Sequence, residues 1–158
     1  MRRVLILLSV AAVAIACAKK EEAPPADTTT AAMAPAPAPA APAAVTEADV
    51  AGTWKGTSSP MGSDSVVSHW TQVCGAGKCT GTTTGSKTTI HSTYTLAGDS
   101  AVGVSAPFSE PMAKGAKVID TWVVHVSGDN GTGTGAEKLA SKPDSIVVAY
   151  KFTGTKQH

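Results

Sequence analysis

From about residue 45 to the C-terminus, apolar and polar residues alternate with a period of two, the pattern of strands that bury one face. Ile146, Val148, Tyr150 and Phe152 fall on one face of such a run, as do Val118, Trp122, Val124 and Val126, and again Ile90, Tyr94 and Leu96. Strands are predicted near residues 50–57, 65–74, 79–84, 88–96, 100–105, 118–127, 132–139 and 145–153. No stretch holds a helical period, and only Ser109 to Gly115 has room for a single turn. Thr, Ser, Gly and Val dominate, which suits short strands joined by tight turns. Asn130-Gly131 reads as a hairpin turn. Asp64-Ser65, Asp99-Ser100 and Asp144-Ser145 each follow a turn signal and open a new run, with Asp bonding nearby backbone donors to launch the strand. The expected fold is therefore all-β: about eight short antiparallel strands in a meander, forming a small barrel or a two-layer sandwich.

The alternation does not extend to the N-terminal third. Residues 1–16 read as a signal peptide, with Arg2 and Arg3 ahead of an apolar run from Val4 to about Val13 and small residues before Cys17. The run is shorter than the roughly 20 residues of a spanning helix. Residues 17–44 read as a linker. Its Lys19-Lys20-Glu21-Glu22 patch is charge-balanced, and Ala34-Pro35-Ala36-Pro37-Ala38-Pro39-Ala40-Ala41-Pro42 favours polyproline II. Such a stalk reaches about 80 Å at roughly 3.1 Å per residue. Ala14-Ile15-Ala16-Cys17 resembles the lipobox of bacterial lipoproteins, with alanine at a position where that family more often has leucine. The resemblance implies cleavage before Cys17, acylation of Cys17 with palmitate or similar chains, and stable anchoring by more than one chain. Ala18 stands where an aspartate would retain such a protein in the inner membrane. In a Gram-negative cell the resemblance thus implies the outer membrane, facing the periplasm or the surface.

Charge narrows the possible partners. Residues 45–158 carry nine lysines and nine acidic residues, and both arginines of the chain lie in the signal segment. A near-neutral domain without arginine lacks the phosphate-binding groups of nucleic-acid recognition, so that class is excluded.

Three residue groups are candidates for chemistry. With Cys17 lipidated, Cys74 and Cys79 remain, and an even number in an oxidising compartment predicts a disulfide across a hairpin centred on Ala76-Gly77. Ala76 fits poorly at the positive φ of a two-residue turn, so a looser four-residue loop is equally compatible. His69, His91 and His125 each fall on a strand; they become metal candidates only if the polar face lines a barrel, and otherwise they face solvent. No Gly-x-Ser-x-Gly, His-Glu-x-x-His or phosphate-cradling loop is present, so no catalytic residue and no cofactor is assigned. The run Gly128 to Gly135 departs from the ligand spacing of a calcium loop.

Gly52-Thr53-Trp54 resembles the Gly-x-Trp that opens the first strand of lipocalin and avidin-like (calycin) barrels. That resemblance implies a small-ligand lumen lined by Trp54, Trp70 and Trp122. It also calls for an arginine stacked on Trp54, a place that Lys151 or Lys156 would have to take. Residues 52–155 also resemble small uncharacterised bacterial envelope β domains with a Trp-x-Gly start and Asp-Ser strand openings, a likeness that implies no activity. The functional expectation is a lipid-anchored, non-enzymatic envelope module that binds or supports an envelope protein. The alternatives are a lipocalin-like carrier of a small apolar ligand, and an unrecognised hydrolase or metal enzyme.

Overall fold

The structure is a computed structural model that describes residues 43–158; the lipidation site Cys17, the signal segment and nearly all of the linker lie outside the described residues. A one-turn helix α1 (Glu47–Val50) precedes β1 (Gly52–Pro60), β2 (Ser68–Gly75), β3 (Lys78–Thr83), β4 (Thr89–Ala97) and β5 (Ser100–Ser105). A two-residue strand β6 (Phe108–Ser109) and a 3₁₀ turn (Pro111–Ala113) follow, then β7 (Lys117–Ser127), β8 (Asn130–Leu139) and β9 (Lys142–Gln157).

The strands pair in the order β5-β4-β3-β2-β1-β9-β8-β7-β6, and an additional β5–β7 pairing closes the ring. Leaving aside β6, which extends β7 beyond the reach of β5, this is an eight-stranded antiparallel barrel and not a sandwich. Every strand of the ring pairs with a neighbour on each side, so the sheet closes on itself within residues 52–157. One end, the floor, holds α1 and the hairpin turns at 76–77, 98–99 and 128–129. The opposite end, the mouth, holds the 61–67, 84–88, 106–116 and 140–141 connections.

Glycine sets the bore. Trp70 faces Gly56 across β1–β2, Trp122 faces Gly103 and Gly135, and Phe152 and Tyr150 face Gly133 and Gly135. The rings lie flat over these glycines: a Cβ built on Gly103 would sit 2.1 Å from the Trp122 ring, and one on Gly56 2.2 Å from the Trp70 ring. The space a small barrel lacks on its inner face is recovered where the backbone itself is the contact surface.

The floor is built by α1. Trp54 Nε1 donates to the Val50 carbonyl at 2.8 Å, and Lys156 Nζ donates to the Ala48 carbonyl at 2.7 Å while lying 5.9 Å from the Trp54 ring centre. Lys156, not Lys151, thus takes the place for which the Gly-x-Trp resemblance calls for arginine; Lys151 pairs with Asp64. Tyr94 Oη donates to Glu47 Oε1 at 2.6 Å, and Val45, Val50, Cys79, Ala101 and Trp122 pack together there as buried core. Burial, reinforced by the Glu47 bond, pushes the Tyr94 hydroxyl up to about 12.

Several expectations are corrected. Val50 ends a helix instead of starting a strand; Thr46 begins that turn with its amide and hydroxyl both bonded to Asp49 Oδ2. The β7–β8 turn is Gly128-Asp129, with Gly128 at φ 58°, and Asn130 already pairs with Ser127. The positive φ falls on the glycine one step earlier because the inward alternation of Val124 and Val126 fixes the register. Of the Asp-Ser pairs only Asp99-Ser100 leaves a hairpin turn; Asp64-Ser65 lies in the β1–β2 connection and Asp144-Ser145 within β9. Ile146 leaves the face of Val148, Tyr150 and Phe152. Val148 opposes Glu137 but Ile146 opposes Lys138, so an extra residue in β9 turns Ile146 out, to 59% exposure. Leu96, one pair short of a hairpin turn, is 40% exposed.

Candidate functional site: the barrel lumen

The inward positions enclose a cavity of about 390 Å³. Trp54, Trp70 and Trp122, the three tryptophans singled out from sequence, all line it, joined by Tyr150 and Phe152. Trp70 meets Phe152 edge-on, with ring centres 6.0 Å apart, and Tyr150 lies 6.0 Å from Phe152 at a tilt. Aromatic faces therefore dominate the middle of the lumen, with Val124, Val126 and Cys74 toward the floor.

Cys74 and Cys79 face each other in register, Cα atoms 4.1 Å apart, and are disulfide-bonded. Gly75 pairs with Lys78, so the connection is a two-residue turn with Ala76 at φ 51° and Gly77 at φ 73°. The tight turn prevails despite alanine in the left-handed region, and the bridge spans the non-hydrogen-bonded pair next to it.

The polar face of the strands lies outside. His69 on β2, His91 on β4 and His125 on β7 are exposed and on non-adjacent strands. His91 Nδ1 is 3.3 Å from Thr80 Oγ1, and His125 Nδ1 is 3.2 Å from Asp99 Oδ2. The three are not brought together, and no His, Cys, Asp and Glu cluster with metal-binding geometry occurs among the described residues.

One group on the lumen wall escaped the sequence reading. Asp120 on β7 pairs in register with Glu137 on β8, both directed inward one rung nearer the mouth than Trp122. Tyr150 Oη lies 2.8 Å from both Asp120 carboxyl oxygens and donates to them, and the Asp120 amide donates to the buried Ser105 Oγ at 2.8 Å. Glu110, after β6, completes the acidic wall. Burial pushes the Asp120 carboxyl up to about 6, against the opposing pull of the Tyr150 and Thr121 hydrogen bonds. Burial, then the charges of Glu110 and Asp120, push Glu137 up to about 7. Burial beside Asp120 raises Tyr150 beyond the ordinary phenol range. Glu137 Oε2 is fully buried and is the one such side-chain atom without a hydrogen-bond partner among the described residues. Among the described residues, no lysine, arginine or histidine lines the cavity.

The site thus joins an aromatic chamber to an acidic wall. Compared with known proteins, the chain matches no family, no curated protein and no solved structure.

Proposed function

We propose that this is a lipid-anchored bacterial envelope protein whose barrel holds a small, largely apolar molecule in its lumen. The anchored half of the reading rests on the lipobox-like Ala14-Ile15-Ala16-Cys17 and the Pro/Ala stalk. In a Gram-negative cell the address would be the outer membrane. The observation that carries the binding half is the cavity of about 390 Å³ walled by Trp54, Trp70, Trp122, Tyr150 and Phe152. Small-molecule sites run roughly 300–1,000 Å³, mostly apolar with a few placed polar groups, and this lumen has that composition. A purely structural barrel of this bore would gain more by filling the space with side chains.

Two measurements test the two halves. Cys17→Ala is expected to abolish membrane fractionation; an unchanged membrane pool refutes the anchor. Residues 18–158 keep the whole closed barrel, and their tryptophan emission is expected to be quenched saturably by an uncharged apolar dye such as N-phenyl-1-naphthylamine. A flat response to that dye and to a panel of fatty and aromatic alcohols refutes the carrier reading.

A further inference from the structure

The lumen also indicates which kind of small molecule it takes. The charged side chains on its wall are all acidic. Asp120, Glu137 and Glu110 bring carboxyl oxygens, Tyr150 commits its hydroxyl proton to Asp120, and no basic side chain among the described residues lines the cavity. Glu137 Oε2 is buried with no donor in reach. Leaving such an oxygen unmet destabilises the native state, and a core evolved only for stability would place an apolar residue there. The aromatic faces of Trp70, Trp122 and Phe152 are compatible with the same complement, since a cation is attracted to the π surface. An anionic ligand would meet carboxylates without a counter-charge, and a neutral apolar one would bring no charge to offset them.

Resting on the carrier reading, we infer that the lumen takes an organic cation: a protonated amine on an apolar or aromatic body, with the ammonium group between Asp120 and Glu137 and the body among Trp54, Trp70, Trp122 and Phe152. Register fixes the orientation. Asp120 and Glu137 oppose each other one rung toward the mouth, while Trp122 opposes Gly135 below them and Trp54 opposes Lys156 at the floor. The body enters first and the ammonium group stops at the acidic rung. An ammonium has three donors, enough for one carboxyl oxygen each of Asp120 and Glu137 and one further acceptor.

The titratable groups facing that rung are Asp120 on β7, Glu137 on β8, Tyr150 on β9 and Glu110 after β6. Tyr150 stays protonated at every pH of interest, so the carboxyls alone set the pH dependence. In the empty barrel they hold protons up to about pH 6 for Asp120 and about pH 7 for Glu137. A bound cation favours their ionised forms. Affinity therefore rises from pH 5 to pH 8, and binding near pH 6 releases protons to the buffer.

The test uses residues 18–158, made in an oxidising compartment, and three probes on one skeleton: 4-phenylbutylamine, 4-phenylbutanol and 4-phenylbutanoate. Calorimetry at pH 8 is expected to show the amine binding at least tenfold more tightly than the alcohol, with the carboxylate weakest. The amine's affinity should fall at least tenfold by pH 5 while the alcohol's stays level. In an Asp120→Asn/Glu137→Gln chain the amine should bind no better than the alcohol, and retained alcohol binding shows that the barrel is intact. An alcohol that binds as tightly as the amine, or an amine preference that survives in the double variant, overturns the cation assignment and leaves the carrier reading standing. Absence of binding by all three probes overturns both.

Discussion

Replacing Asp120 by asparagine should stabilise this protein above neutral pH, the reverse of what removing a hydrogen-bonded buried group usually does. Burial holds the Asp120 carboxyl at about 6 against an ordinary 3.8. At about 1.4 kcal/mol per pH unit, ionising it costs the native state about 3 kcal/mol more than the unfolded chain. Between pH 3.8 and about 6 the unfolded chain has released this proton while the native chain keeps it. Stability therefore falls as pH rises through that window: the contribution is fully present below 3.8 and gone above about 6. Asparagine removes the charge and keeps an acceptor for Tyr150, at a loss of about 1 kcal/mol, at every pH, for an amide fitting less well where the acid stood; the Tyr150 bond to the ionised carboxyl is already contained in the value of about 6. The variant should thus be about 2 kcal/mol more stable than the parent at pH 8, and within about 1 kcal/mol of it at pH 4. In urea, where such a domain has a slope of about 1–3 kcal/mol/M, the pH 8 midpoint moves up by about 1 M. Glu137 acts in the same direction between 4.5 and about 7, more weakly because it is only half-buried and solvent screens it. Asp49 and Asp64 act in the opposite direction, their carboxyls held low by bonds from Thr46 and Lys151. Both are surface groups whose contribution is lost only as pH falls below 3.8, so pH 4 is the floor of the comparison and the difference between the two chains cancels them. Parallel stability curves from pH 4 to pH 8, or a variant less stable than the parent at pH 8, would refute the assignment of Asp120 as a buried, uncompensated carboxyl.

Three further substitutions test the barrel itself. Gly103→Ala puts a methyl 2.1 Å from the Trp122 ring and should destabilise by about 3 kcal/mol, whereas Gly75→Ala, with nothing within 4 Å of the new methyl, should stay within about 0.5 kcal/mol. Equal urea midpoints for the two would mean that the rings do not lie on the glycines. Ala76→Asn relieves alanine at φ 51° in a two-residue turn and should raise stability by about 1 kcal/mol; a loss would show that the turn is not of this type. Replacing Cys74 and Cys79 together by alanine opens a ring closed at a sequence separation of 5 and should cost about 2 kcal/mol in thermal or urea unfolding. Two titratable thiols in the denatured, unreduced parent chain would remove the bridge outright.

How much of this was legible in the sequence follows from which physical rule acts at each position. The strands stood out because period-two alternation is local. Val118, Trp122, Val124 and Val126 carry it without help from the rest of the chain, and the Cys74–Cys79 hairpin follows from the spacing of the two cysteines around Ala76-Gly77. Closure into a barrel did not, since the β5–β7 and β1–β9 pairings join residues that no local pattern links. The same limit applies to Ile146, whose face is set by a bulge that only the β8–β9 register reveals. Helix α1 was missed although Thr46 and Asp49 carried a capping signal, because one turn is too short to show a period.

The acidic rung is a different case, because its signal was local and went unread. Asp120 sits between Val118 and Trp122 at an inward position of β7, and Glu137 continues the inward series Gly131, Gly133, Gly135 of β8. A carboxylate at an inward position of a strand whose other inward residues are apolar or glycine conflicts with burial unless something meets it. Among the described residues no lysine or arginine reaches that rung: Lys151 turns out to Asp64, and Lys156 is held at the floor against the carbonyls of α1. The tryptophans reported only that the lumen is apolar. The two carboxyls that break the alternation carry the information about charge, and the proposed preference for cations rests on them.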